Sequence, residues 1–270
     1  MPALLELAAS SDRDSRYGAV EALGNLGPNS DLASRLEALS EALQADDLWL
    51  RILAAEALAR IGEPAKVAVP QMLERLAKTD PKSDPRGMEQ RYLCFSLFNR
   101  RGGLIGRSLE GVDRELLYKA VCAGLQNEDG RARGNYLTVY DNLTHDEIKP
   151  LLPAIRRAVV EPAPSGIMFA DNIRMGGLHL LLKHRVPEGI EACVEWTRTQ
   201  NHWHSKERTA ELMTILLEYG ADAKPAIPEL RKIADSLGPA KQTRMRKLFP
   251  KQADTIRNTI LEAIPALEAL

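Results

Sequence analysis

Two stretches of this chain can be laid one above the other almost without adjustment. DSRYGAVEALGNLG and DLWLRILAAEALARIG, anchored on Arg16 and Arg51, match Ala19 with Ala54, Glu21 with Glu56, Ala22 with Ala57, Leu23 with Leu58 and Gly27 with Gly62. The frame continues from Arg91, and looser matches begin at Arg133, Arg174 and Arg208, a period of about 35 to 40 residues. Four residues after each anchor stand Val20, Ala55, Phe95, Leu137, Leu178 and Leu212; seven after stand Leu23, Leu58, Phe98, Tyr140, Leu181 and Ile215. Both columns are apolar, and the 4-and-7 spacing marks one face of a helix.

A second amphipathic helix follows each break, often with its own start signal. Ala65–Pro70, Ile148–Pro153 and Ala223–Pro228 share Lys-x-x-x-Pro. A Pro in a first turn forfeits no hydrogen bond, because those N–H groups have no intrahelical acceptor. Gly62 and Gly220, just upstream, suit the left-handed end of the preceding helix. A helix, a tight turn and an antiparallel helix cannot bury an apolar face alone, so tandem copies must stack. The sequence therefore predicts an all-α chain, an α-solenoid of about six helical hairpins. The repeats run roughly 12–45, 47–80, 86–127, 130–161, 167–200 and 204–237, with 238–270 as C-terminal capping helices. MPALLELAASSD repeats Pro70, Leu73, Glu74, Ala77 and Asp80 as Pro2, Leu5, Glu6, Ala9 and Asp12. Residues 1–11 accordingly read as the second helix of a preceding repeat, and the chain as a fragment of a longer array.

ALGNLG, EALARIGEPAKVAVPQMLERL and YGADAKPAIPEL resemble the bacterial HEAT repeat, of the sort also found in phycobilin-lyase-like repeats. The resemblance is sharpest in the first two repeats and the last. GGLIGRSLEGVDRELL and MFADNIRMGGLHLLLKHR are similar to a family of large uncharacterised bacterial proteins that end in such an array, a likeness that implies no activity.

Composition narrows the function. The net charge is −1, 44% of residues are hydrophobic and 5% aromatic, so bulk charge does not attract polyanions. No apolar run approaches the roughly 20 residues that span a bilayer. Cys94, Cys122 and Cys193 are widely spaced among apolar neighbours without a CxxC pair, which reads as buried free thiols rather than a zinc or redox site. Neither a GxSxG elbow nor a His-Glu dyad of the kind deoxyhypusine hydroxylase needs for iron is present. No catalytic residue, cofactor or metal is assigned.

The candidate binding residues lie in two connectors. NRRGGLIGRSLEG, residues 99–111, interrupts the third repeat and sets Arg100, Arg101 and Arg107 among Gly102, Gly103 and Gly106, with Ser108 beside them. Glycines let a backbone offer N–H groups to an anion, and arginines add bidentate contacts. NHWHSKE, residues 201–207, holds His202, His204 and Glu207, a weak metal set, and Trp203, a residue type enriched at partner hot spots. The recurring arginines Arg16, Arg51, Arg91 and Arg174 read as a structural ladder onto acidic residues of neighbouring repeats. Residues 1–80 hold eight basic and thirteen acidic side chains, net −5, whereas 81–110 hold six and three, net +3. That unevenness favours a charged protein partner, acidic where it meets the loop, over a nucleic-acid track. The expected function is a non-catalytic protein-binding scaffold. Its alternatives are a HEAT-like DNA glycosylase, with Trp49, Tyr136, Tyr140 and Asp141 on its working face, and support for a catalytic domain on the N-terminal side.

Overall fold

The computed structural model describes residues 1–27, 31–78 and 82–270, the side chains of 167–170 aside. Asp80, the end of the second predicted repeat, lies outside the described residues. Helices run as α1 (Pro2–Ala8), α2 (Arg13–Asn25), α3 (Leu32–Ala42), α4 (Leu48–Ile61), α5 (Val69–Ala77), α6 (Met88–Phe98) and α7 (Arg114–Gly124). They continue as α8 (Gly130–Gly134), α9 (Leu137–Asp141), α10 (His145–Ile148), α11 (Leu152–Val160), α12 (Ile167–Lys183) and α13 (Glu188–Thr199). The last are α14 (Ser205–Tyr219), α15 (Ile227–Ser236), α16 (Arg244–Leu248) and α17 (Pro250–Ala269). No strand occurs among the described residues. The fold class is the predicted one, an all-α solenoid of helical hairpins.

The chain divides into two compact units, residues 1–158 with 162–173 and residues 159–161 with 174–270. In the first unit the leading helices α2, α4 and α6 lie side by side, and α5 packs against α7. Within the second, α13 packs on α14 and α15, and α17 covers both α14 and α15. Helix starts are set by aspartates: Asp12, Asp31, Asp47, Asp113 and Asp129 each accept a backbone N–H of the first turn, a cap contributing about 1 kcal/mol. Each Lys-x-x-x-Pro stretch forms a 3-10 turn that feeds a helix with Pro near its start. Gly62 precedes one of these turns and Gly220 opens another, at φ +78° and +68°, backbone that a side chain would strain.

The core follows the seven-residue column: Leu23, Leu58, Phe98, Tyr140, Leu181 and Ile215 are all buried. The four-residue column does not hold throughout. Phe95 is 52% exposed and Leu137 only half-buried. In α6 the buried face instead carries Glu89, Gln90, Leu93, Cys94, Leu97 and Phe98, because partners from neighbouring helices draw two polar residues inward. Gln90 receives the side-chain N–H of Asn127, and Glu89 receives Arg51 and Arg75. Burial alone would raise the Glu89 carboxyl, but Arg75 and Arg51 outweigh it and hold the group below the usual range. The leading helix predicted from Arg133 is also broken into α8 and α9, at Gly134 and Asn135, both poor helix formers.

The anchor arginines do something the sequence does not spell. Arg16 donates to Ala8 O, Arg51 to Ala45 O and Asp46 O, Arg133 to Asn127 O, Arg174 to Val159 O, and Arg208 to Trp203 O. Arg51, Arg133 and Arg208 reach carbonyls of the connector that leads into their own helix, whereas Arg16 and Arg174 reach a carbonyl in the last turn of the preceding helix, a group with no intrahelical donor. A cation there also complements the helix dipole. The predicted acidic ladder exists alongside this in part: Arg51 pairs with Glu89 of the next repeat, and Arg91 with Asp129, which caps the first helix of the next. The third rung is Arg13 and Tyr17 on Asp47, not Arg16.

Candidate functional site

The 99–111 loop is built onto the end of α6. Asn99 leaves the helix extended, and its Oδ1 accepts the N–H groups of Arg101 and Gly102 at 2.9 and 3.3 Å. Gly103 N–H donates to Asn99 O, Leu104 N–H to Ser96 O and Ile105 N–H to Leu97 O, at 2.8 to 2.9 Å. Leu104, Ile105 and Leu109 are buried beneath it. A Cβ on Gly103 would lie 2.6 Å from Asn99 N and Leu97 O, and one on Gly106 would fall on the Asn99 carbonyl. These two glycines admit close backbone packing. Their N–H groups are already bonded within the loop, which overturns the expectation that they are presented to an anion.

The arginine side chains, in contrast, stand in solvent. Arg100 is 80% exposed and 4.0 Å from the also exposed Asp141, a pair of little energetic consequence. Arg107 is exposed, with Nε 3.4 Å from Arg100 O, and Arg101 is exposed beside them. The structure therefore brings Arg100 and Arg107 together. Ser108 Oγ accepts the N–H of Glu110 and closes a small turn.

The second connector is held more firmly. Asn201 Oδ1 accepts the Trp203 N–H at 3.0 Å, and the buried Arg208 donates to Asn201 Oδ1 and to Trp203 O. Arg208 and Arg174 also stand over the Trp196 ring, 5.7 and 4.0 Å from its centroid. His204 then turns the chain into α14 at φ +47°, a conformation costly for a side-chain-bearing residue. On this clamped backbone the Trp203 ring is 66% exposed. Its neighbour His202 lies 4.8 Å from it, tilted, and stacks on Phe249 at 3.7 Å. Leu248, 58% exposed, sits next to Phe249. Sequence reasoning found Trp203 but passed over Leu248 and Phe249. The signal available was MRKLFPK, where an apolar pair is set between basic residues.

Other expectations resolve by location. His202 turns a ring face to Phe249, and no group of three His, Cys, Asp or Glu among the described residues is placed to hold a metal. Cys94 and Cys193 are buried; Cys122 is half-buried. Burial pushes the Cys94 thiol up to about 12 and raises that of Cys193 as well, the opposite of a poised nucleophile. Tyr136 and Tyr140, named for a nucleic-acid face, lie in the core, whereas Trp49 is 43% exposed and meets Tyr92 edge-on at 6.4 Å. No helix among the described residues is long and apolar enough to cross a membrane.

No curated protein matches the chain. A family model of HEAT repeats matches residues 1–92, the stretch that contains the two sharpest copies of the repeat and the packed helices α2 and α4, and the match supports reading this N-terminal part as HEAT repeats.

Proposed function

We propose that the chain is a non-catalytic scaffold that holds another protein on side chains presented from the ends of its helical hairpins. HEAT repeats generally mediate protein interaction, and the match over residues 1–92 is compatible with that role. The observation that carries the reading is Trp203: a large aromatic ring 66% exposed on a backbone fixed by a buried arginine. Fixing the backbone beforehand lowers the ordering cost of binding, and exposed Trp is a common energetic centre of interfaces. Arg100, Arg101 and Arg107 form a second contact, suited to an acidic surface, and Ser108 supports their loop.

Capture from a lysate of the source organism tests this, using wild type, the R100E/R101E/R107E variant and Trp203→Ala. All three should melt alike. A protein retained by the wild type and lost from at least one variant supports the scaffold. Equal retention by all three, or retention of nothing, overturns it.

A further inference from the structure

The Trp203 surface carries more chemistry than one ring. Residues 240–257 contain Lys241, Arg244, Arg246, Lys247, Lys251 and Arg257 against Asp254 alone, net +5 in a chain of net −1. Arg246 is drawn inward, donating to Pro250 O and pairing with Asp254. Arg244, Lys247 and Lys251 are exposed and have no ion partner among the described residues. Arg244 and Leu248 are four residues apart on α16, so they share a face of that short helix. Met245 packs against the core of the second unit. The outward side of α16 thus offers one aliphatic side chain among cations, and the Phe249–His202–Trp203 stack extends the apolar surface from it.

We infer that this patch docks an acidic, extended protein segment carrying one or two apolar anchor residues. The inference rests on the scaffold reading and names the chemistry of the partner at this contact. Charge complementarity selects an anionic occupant, since no described residue pairs with the three cations. The apolar part selects a peptide over a bilayer: only Trp203 and Leu248 are strongly exposed here, enough to seat single side chains but not the broad apolar face that interfacial membrane binding requires. A single-stranded nucleic acid would use a row of free ring faces, whereas the His202 and Phe249 rings are stacked on each other and Leu248 offers no ring.

A random peptide library displayed on phage and panned against the full chain reads this out. Enriched sequences are expected to be acidic with Leu, Phe or Trp at one or two positions. Synthetic copies should bind at least about tenfold more weakly to W203A/L248A and to K247E/K251E, and added salt should weaken binding. Trp203→Phe, which keeps a ring, should retain most of the affinity. Basic or uncharged winners, winners that bind both variants as well as wild type, or no winners at all overturn the inference. So does Trp203-dependent binding of oligo-dT or of phosphatidylserine vesicles in place of peptides. Lysate capture keeps the two readings apart. A partner still captured by W203A/L248A but lost from R100E/R101E/R107E leaves the scaffold standing and removes this site, whereas failure of both assays removes both readings.

Discussion

The 99–111 loop and the 200–204 connector invert each other. The loop advertises a ligand site in its composition, with three arginines among glycines, yet its backbone is turned inward to finish α6 and only the arginine tips remain outside. The connector is short and polar in outline, yet it holds a tryptophan in solvent on a backbone tied down by Arg208. Glycine-rich sequence near arginine therefore does not distinguish a nest for anions from close backbone packing. What distinguishes them is where the N–H groups go.

Gly106 offers the strongest way to break this contrast. In Gly106→Ala the new methyl meets the carbonyl of Asn99, a backbone atom that cannot swing aside, and the variant should lose about 3 kcal/mol of stability. Nothing lies within 4 Å of a Cβ on Gly102, so Gly102→Ala should be neutral or stabilise by about 0.4–1 kcal/mol through the unfolded chain. Denaturant midpoints measure both. Equal losses at the two positions would mean that the loop does not fold back on α6 as described.

Much of the repeat is legible because it is written in side-chain letters. The seven-residue column, the aspartate caps and the Lys-x-x-x-Pro turns each use a residue type whose physics is local. The exposure of Phe95 was not legible, since α6 buries Glu89 and Gln90 instead, and their partners Arg51, Arg75 and Asn127 stand on other helices. The arginine anchors were half legible. Their recurrence is plain, but Arg16, Arg133 and Arg208 each donate to a backbone carbonyl oxygen, and a backbone acceptor has no letter to search for. The Trp203 patch was read as one residue because Phe249, with Leu248 beside it, is distant in sequence and meets the connector through His202.

Arg208 tests the other half of the contrast. Replacing it with Ala removes the donors to Trp203 O and Asn201 Oδ1 and the cation facing Trp196, a loss of about 2 kcal/mol or more. The exposed Trp203 ring itself is untouched. If the connector matters because it is held rigid, Arg208→Ala should weaken partner binding under conditions where the variant remains folded. Retained binding would show that the ring suffices without its clamp.

The smallest effects belong to the side chains proposed to meet the partner. Trp203→Ala and R100E/R101E/R107E alter groups that project into water, and Arg100 has only Asp141 at 4.0 Å to lose. Each should shift the melting midpoint by less than about 2 °C. This near-silence separates the two kinds of residue in the connectors, because a side chain kept for folding announces its removal in the melt. A drop of several degrees in Trp203→Ala would mean that the ring packs more tightly than its exposure indicates. Any accompanying loss of binding would then follow from a disturbed His202–Phe249 stack rather than from a lost contact.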